Sequence, residues 1–395
     1  MKEGWTYKKL GEVCYKIKDG SHNPPQGIEH SNNIMLSSQN VQNGFLDMTA
    51  VRYLSDEDFE IENKRTDASK GDVLLTIVGT IGRTCVLKGD EGNITFQRSV
   101  AILKPKEEIM SRYLMYFLMS SNSKLNSTAQ GAAQKGIYLK QLSDISLHYP
   151  SVEEQQSIVE RLDAAFENID KLKANAEKQL AEARTLFQKC LAKAMEPKEE
   201  WEEKTLKETC SVITDGTHHS PVNLATGKYK YITAKNIKPW GLDLSNITFV
   251  TEDVHKEIVS RCCPLKGDVL YIKDGATTGI AIVNPLDEEF SMLSSVALIR
   301  PKKDILLSEF LCYALNSPLI YEQTRSQMDG AAITRVTLVK IKGFRIPVPS
   351  ISEQQRIVER LDALSENTRK YEEIQRQIIS ECDALKQALL RKVFE

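Results

Sequence analysis

Six polar loops in this 395-residue chain gather side chains whose types could do recognition chemistry. Lys16 to Gln26, Ser37 to Asn43 and Gln130 to Lys140 lie in the first half; Thr214 to Ser220, Thr233 to Trp240 and Gly330 to Lys340 lie in the second. They combine amides, hydroxyls, Lys, Arg and Gly. Asn and Gln can pair in bidentate fashion with an adenine edge, Arg and Lys with guanine, and glycine amides can approach phosphates closely. Loops of this composition are ordinary on protein surfaces, so nucleic-acid reading needs support from how the loops are arranged.

Catalytic chemistry is harder to assemble from these residues. Asn23-Pro24-Pro25-Gln26 resembles the Asn-Pro-Pro-aromatic motif of adenine methyltransferases, but Gln26 lacks the aromatic face that stacks a flipped base, and His219 to Val222 at the matching place lacks the motif. No glycine-rich strand-turn-helix or P-loop provides a cofactor site. Glu62-Asn63-Lys64 after Asp56 faintly imitates a nuclease carboxylate-lysine cluster of a kind charged loops produce by chance. His218-His219 could ligate metal, although a lone pair in a Gly/Ser loop more often forms hydrogen bonds or contacts phosphate. Eight scattered cysteines without a C-x-x-C pair suit reduced thiols better than zinc or disulfides. The reading is therefore no catalytic residues, no metal and no resident cofactor.

The arrangement is a duplication. Trp5, Leu10, Cys14 and Asp19-Gly20-Ser21-His22 recur 196 positions later as Trp201, Leu206, Cys210 and Asp215-Gly216-Thr217-His218. Asn40-Val41 returns as Asn236-Ile237, Lys70-Gly71-Asp72-Val73-Leu74 as Lys266-Gly267-Asp268-Val269-Leu270, Ser99-Val100-Ala101 as Ser295-Val296-Ala297, and Gly131-Ala132-Ala133 as Gly330-Ala331-Ala332. Between these islands the halves differ freely: Thr76 to Thr80 reads TIVGT where Ile272 to Ala276 reads IKDGA. A shared scaffold with divergent loops fits two readers with different targets. The Gly, Asp and Trp positions common to both copies then belong to the scaffold, because copies reading different sequences should agree in fold and differ in readout.

Short apolar runs such as Val73 to Val78, Val100 to Leu103, Val269 to Ile272 and Val296 to Ile299 read as strands between glycine turns. Ser111 to Asn122 and Ser308 to Asn316 read as one helix per domain. Each domain is followed by a sharp helix start, where Ser151 and Ser350 stand at the N-cap with Glu154 and Glu353 three residues on, a reciprocal capping box. Glu154 to Ala164 reads EQQSIVERLDA and Glu353 to Ala363 reads EQQRIVERLDA, differing at one position. The first helix should reach about Glu196, before Pro197, spanning on the order of 65 Å. Ile158, Leu162, Ala165, Ile169, Leu172, Ala176, Ala183, Leu186 and Cys190 suggest a heptad seam; Ile357, Leu361, Leu364, Tyr371, Ile378, Cys382, Leu385 and Leu389 suggest its partner, with Gln179 and Gln375 interrupting the stripes to fix register. The expected fold is α+β: two similar α/β domains at 1–150 and 198–350, followed by helices at 151–197 and 351–395 that pair as an antiparallel coiled coil with pseudo-twofold symmetry. Such a pair would work as a ruler between the domains.

Charge does not by itself announce a ligand. Residues 1–150 hold 18 Lys+Arg against 17 Asp+Glu, and residues 201–350 hold the same numbers. Basic charge for a nucleic acid must therefore be concentrated on one face or supplied by partners. No apolar run suits a membrane span and the charged start lacks a signal-peptide core, so a soluble, cytoplasmic protein is expected.

The passage from Gly131-Ala132-Ala133 through Leu142 and Pro150 into EQQSIVERLDA, with its second copy, resembles the specificity subunits of type I restriction-modification systems; Gly4-Trp5, Glu200-Trp201 and the Lys-Gly-Asp-Val-Leu turns resemble the same family. The resemblance covers essentially the whole chain. It implies two target recognition domains, each reading half of a split sequence in double-stranded DNA. It also implies a helical spacer that docks two methyltransferase subunits, and restriction/translocase subunits that complete the enzyme. S-adenosylmethionine, ATP and Mg would then sit on those partners, and this subunit would be non-catalytic. The resemblance assigns the loops, and residue chemistry picks Lys18, His22, Ser38, Gln39, Asn40, Arg83, Lys135 and Tyr138 in the first domain as DNA contacts. In the second domain it picks Thr217, His218, Lys235, Asn236, Lys238, Lys273 and Arg335. The alternatives are an orphan DNA-binding adaptor and a structural coiled-coil spacer carrying two protein-binding domains.

Overall fold

The computed structural model of the protein describes residues 4–131, 135–326 and 335–395. Ala132, Ala133 and Gly330-Ala331-Ala332, part of the repeated Gly-Ala-Ala signature, lie outside them. The chain forms two compact units, residues 1–176 with 377–395, and residues 177–376, so each of the two long helices contributes to both.

In the first unit a four-stranded antiparallel sheet runs in the order Cys14–Asp19, Val100–Pro105, Val73–Thr76, Thr84–Val86. Because successive side chains point to opposite faces, its central strands feed two cores. Val73, Leu75, Ala101 and Leu103 join the helix Ser111–Ser120 in one core. Leu74, Val100 and Ile102 join Leu36, Ile94 and Phe96 in the other. Those last three belong to a mixed three-stranded sheet in which Asn33–Leu36 pairs antiparallel with Arg52–Leu54 and parallel with Asn93–Phe96. The second unit repeats the plan. Val269, Tyr271, Ala297 and Ile299 face one core, and Leu270, Ile272, Val296 and Leu298 the other. The strand order is again one of antiparallel neighbours, Cys210–Asp215, Val296–Pro301, Val269–Ile272, Ala281–Val283.

The repeated islands have physical reasons. Gly71 and Gly267 both have φ +88°, a left-handed turn that suits glycine. The aspartate after each closes the turn: Asp72 Oδ2 accepts from the Ser69 amide at 2.8 Å and Asp268 Oδ2 from the Leu265 amide at 2.7 Å. Both are tied across the sheet, to Lys104 and Arg300 respectively.

The eleven-residue motif locks the long helices, Val152–Ala194 and Ile351–Phe394, onto their domains. Its first glutamine is fully buried in both copies. Gln155 Oε1 accepts from the Met110 amide (3.0 Å), while Nε2 donates to the carbonyls of Glu108 (2.9 Å) and Pro150 (3.0 Å). Gln354 repeats this with Leu307, Ile305 and Pro349. Farther along, Asp163 accepts from Tyr116 and Arg112, and Asp362 from Tyr313. Ile158, Val159 and Leu162 enter the core between these polar pins. At the helix starts the Ser151 and Ser350 hydroxyls accept from the Glu154 and Glu353 amides. Beside the first of these caps Glu153 is held below the usual carboxylate range by its own backbone amide and the Ser151 hydroxyl.

Within each unit the helix segments run antiparallel. In the first, Asp170 meets Lys386 and Lys173 meets Asp383 at 2.8 Å, so partner numbers fall as residue numbers rise. Leu390 and Phe394 from the second helix complete the first domain's core. In the second unit Leu191 from the first helix and Met195 just past its end share a core with Val358 and Leu361 from the second, and Gln179 accepts from the Tyr371 hydroxyl.

The seam keeps Leu162, Ile169, Ala176 and Ala183 of the expected stripe in the first helix and Leu361, Cys382 and Leu389 in the second, while the alternate positions shift by one residue. Leu172 and Leu186 are 51% and 58% exposed, and Tyr371 and Leu385 also lie on the outside. The first helix turns inward at Leu162, Phe166, Ile169, Lys173, Ala176, Leu180, Ala183 and Phe187, a regular 4,3 alternation. The second turns inward at Val358, Leu361, Ser365, Thr368, Glu372, Gln375, Ile379, Cys382, Lys386 and Leu389. Lys173, Glu372 and Lys386 hold seam positions because each meets an opposite charge there, on Asp383, Arg184 and Asp170.

Candidate nucleic-acid interface

Each domain brings a histidine, an aspartate and an arginine together at the end of its first sheet strand. Asp19 ends Cys14–Asp19, and Gly20 follows so close to the parallel strand that a Cβ on it would lie 1.9 Å from the Phe96 carbonyl oxygen. The Ser21 amide donates to that oxygen at 2.8 Å, fixing the loop that carries His22. His22 Nε2 is 2.7 Å from Asp19 Oδ2, and Arg65, in the last turn of the helix Asp56–Thr66, donates to Asp19 Oδ1 at 3.2 Å.

The second domain reproduces the arrangement. Gly216 is as crowded against Met292, the Thr217 amide donates to the Met292 carbonyl, and His218 Nε2 lies 3.3 Å from Asp215 Oδ1. Arg261, ending the helix Glu252–Arg261, donates to the same oxygen at 2.7 Å. A depression of about 210 Å³ opens beside it, lined by Thr217, His218, His219, Arg261, Glu257 and Ile258.

Beyond this shared core the domains diverge electrostatically. In the first, Lys18 Nζ reaches the Arg65 carbonyl at 3.5 Å, and crowding by Lys16 pushes its pKa below the ordinary lysine value. Ile77 and Val78 behind it are apolar, and Val78 bridges to Gly136. In the second, Lys273 is 2% exposed, with Nζ 3.1 Å from Asp274 Oδ2 and 3.4 Å from Asp215 Oδ2. Arg335 bridges to Asp274, its Nε 3.2 Å from Oδ1 in a charge contact without hydrogen-bond alignment. The TIVGT-for-IKDGA exchange thus replaces an apolar wall with an ionic chain, Arg261–Asp215–Lys273–Asp274–Arg335.

Of the residues selected from sequence, His22, Gln39, Lys135 and Tyr138 are exposed in the first domain, and Lys18, Ser38 and Arg83 are half-buried. Ser38 lies against Gly79, its amide donating to Ser99 Oγ, which places the second and TIVGT loops side by side. His218, Lys235 and Arg335 are exposed in the second domain, with Thr217 and Lys238 half-buried.

Three of the expected contacts serve the scaffold instead. Asn40 is buried; its Oδ1 accepts from the Ser37 amide and its Nδ2 donates to the carbonyls of Asp47 and Ala50. Asn236 is buried with the equivalent bonds to Thr233 and Asp243. An amide so satisfied has no donor-acceptor pair to offer a base, and Lys273, buried between two carboxylates, cannot reach one either. Arg65 and Arg261 were not selected, although their common offset of 196 residues was a readable signal. Among the described residues no group of three or more His, Cys, Asp or Glu is arranged to hold a metal ion. Nor is any helix there long and apolar enough to cross a membrane.

Residues 2–182 and 198–378 each match the type I restriction modification DNA specificity domain. The chain belongs to that family. It is 21% identical to the type I restriction enzyme EcoKI specificity subunit of Escherichia coli K12, over all of this chain and 89% of that one. The EcoBI specificity subunit of Escherichia coli is 30% identical over 49% of this chain, a match that spans 41% of the relative. Two solved structures share the fold at 18% identity. One, from a study of complex assembly and conformational transition of the type I R-M system, superposes with a TM-score of 0.75 over all of this chain and 98% of that chain. The HsdS subunit from Thermoanaerobacter tengcongensis gives 0.57 over all of this chain and 97% of that one. In this specificity family the two domains are DNA recognition domains, and the duplicated His-Asp-Arg cluster lies in both.

Proposed function

We propose that the chain is the non-catalytic DNA-recognition subunit of a type I restriction-modification complex, reading a bipartite target with one domain per half-site. The observation that carries this reading is the double match to the specificity domain, joined to two units with one plan and different loop chemistry. Direct readout falls to divergent residues that are exposed or half-buried, among them Gln39, Arg83, Lys135 and Tyr138 in one domain and Lys235, Lys238 and Arg335 in the other. The antiparallel helix segments set the number of base pairs left unread between half-sites. Two methyltransferase subunits dock on this subunit and carry S-adenosylmethionine; restriction/translocase subunits carry ATP and Mg; the assembly works in the cytoplasm.

The test is co-expression with a methyltransferase subunit in a host lacking adenine methylation, followed by mapping of methylated adenines. A discontinuous motif with a fixed gap is expected. A single contiguous motif would overturn two-domain reading, and no motif despite a formed complex would favour the protein-binding spacer.

A further inference from the structure

We propose that Asp19–His22–Arg65 and Asp215–His218–Arg261 are a duplicated phosphate clamp that seats each domain on the DNA backbone without regard to base sequence. The inference rests on the reading of the chain as a DNA-recognition subunit.

All three residue types recur at the same 196-residue offset, while their neighbours change: Lys18 faces Thr214, Glu62 faces Ile258, Ile77 faces Lys273, and Gly136 stands where the second domain has Arg335. A base-reading group should vary with the half-site, whereas every half-site offers the same phosphates. Burial is divided in the way an anion site requires. The two carboxylates are 17% and 3% exposed, but the His22 and Arg65 side chains are 51% and 46% exposed, and those of His218 and Arg261 43% and 53%. Each guanidinium meets its aspartate through one terminal nitrogen, which in Arg261 also lies 3.2 Å from His218 Nε2, and about half of each side chain stays at the surface, where the fork geometry suits a phosphate. The pinning limits the ordering cost on binding.

The surroundings supply charge by different routes. Lys16 and Lys18 stand by the first clamp; His219 and the ionic chain through Lys273 stand by the second. Acidic groups are near as well, Glu62 and Asp67 in the first domain and Glu257 and Asp274 in the second. Glu62 is engaged by the Ser21 hydroxyl, Asp67 by Lys16 and Lys104, and Asp274 by Lys273.

The experiment measures DNA affinity across a salt series for the full chain in complex with its methyltransferase subunits, on a duplex carrying the mapped motif and on a scrambled duplex. Arg65→Gln and Arg261→Gln are each expected to lower the slope of log K against log salt by about 0.9, the value of one phosphate contact, equally on both duplexes. Arg65→Lys and Arg261→Lys should restore the slope, because a point charge still reaches phosphate, and the methylated motif should stay the same throughout. Affinity lost at unchanged slope would overturn the clamp in favour of a purely structural tie. A change of preferred base at one position would overturn it in favour of direct readout. Failure of the unsubstituted complex to bind DNA would instead refute the recognition reading itself.

Discussion

Replacing Phe394 with alanine, a change in the second long helix, should weaken the first domain and spare the second. Its ring meets Tyr113 and Phe117 edge-on, with centroids 5.2 and 5.9 Å apart, and it is 8% exposed. Buried Phe→Ala substitutions cost about 3–5 kcal/mol through lost burial and the cavity left behind. The helix end can relax into part of the space, so the lower figure of about 3 kcal/mol applies. At roughly 1.4 kcal/mol per decade, amides that exchange only when this core opens should exchange about 150-fold faster. Native-state hydrogen exchange resolves the effect: the amides of Ser111–Ser120 should lose protection, and the equivalent amides of Ser308–Leu315 should keep theirs. Equal loss in both helices, or none in the first, would refute the pairing of the chain's last helical turns with its first domain.

Gln155→Leu should destabilise the first unit by about 2–4 kcal/mol, because the Met110 amide and two carbonyls lose their buried partner; chemical denaturation followed by near-ultraviolet circular dichroism checks it. Lys273→Met removes the buried cation that Asp215 and Asp274 share, leaving each only its half-exposed arginine, and should cost the second unit about 3 kcal/mol, read as a lower melting temperature. Burial pushes the thiols of Cys14, Cys85, Cys262 and Cys312 up to about 12 and that of Cys210 up to about 11. With folded values above unfolded ones, the folded state retains protons that the unfolded state releases, so this contribution is complete below about pH 8.5 and is lost as pH rises through 11 to 12. Urea midpoints measured from pH 8 upward should fall, and an alkylating probe at pH 8 should modify exposed Cys263 first.

Helix starts, domain repeats and the Lys-Gly-Asp turns were legible because each depends on local chemistry: a cap, a left-handed turn, a strand alternation. The coil seam was legible in its period and in alternate positions such as Ile169, Ala176 and Cys382. Leucine marked Leu172 and Leu186 as inward positions, but Lys173 and Lys386 occupy seam sites through carboxylates on the facing helix, a pairing no single stripe reveals. Asn40 and Asn236 show a similar limit at the candidate interface. Amide chemistry suits adenine, but both side chains are buried in hydrogen bonds to the backbone of their own loops, which amide chemistry alone does not reveal. Lys273 could not be placed from sequence, since its burial depends on Asp215, brought alongside by the sheet.

The shared core of Tyr113, Phe117, Leu390 and Phe394 has a consequence for biosynthesis. A nascent chain that has emerged through its first long helix still lacks one wall of its first domain, leaving that aromatic cluster bare to the ribosome exit and to chaperones. The second domain takes its helical cover from segments immediately before and after it, Leu191 to Met195 and Val358 to Leu361, and can close in order of synthesis. The half made first thus takes part of its core from the segment made last.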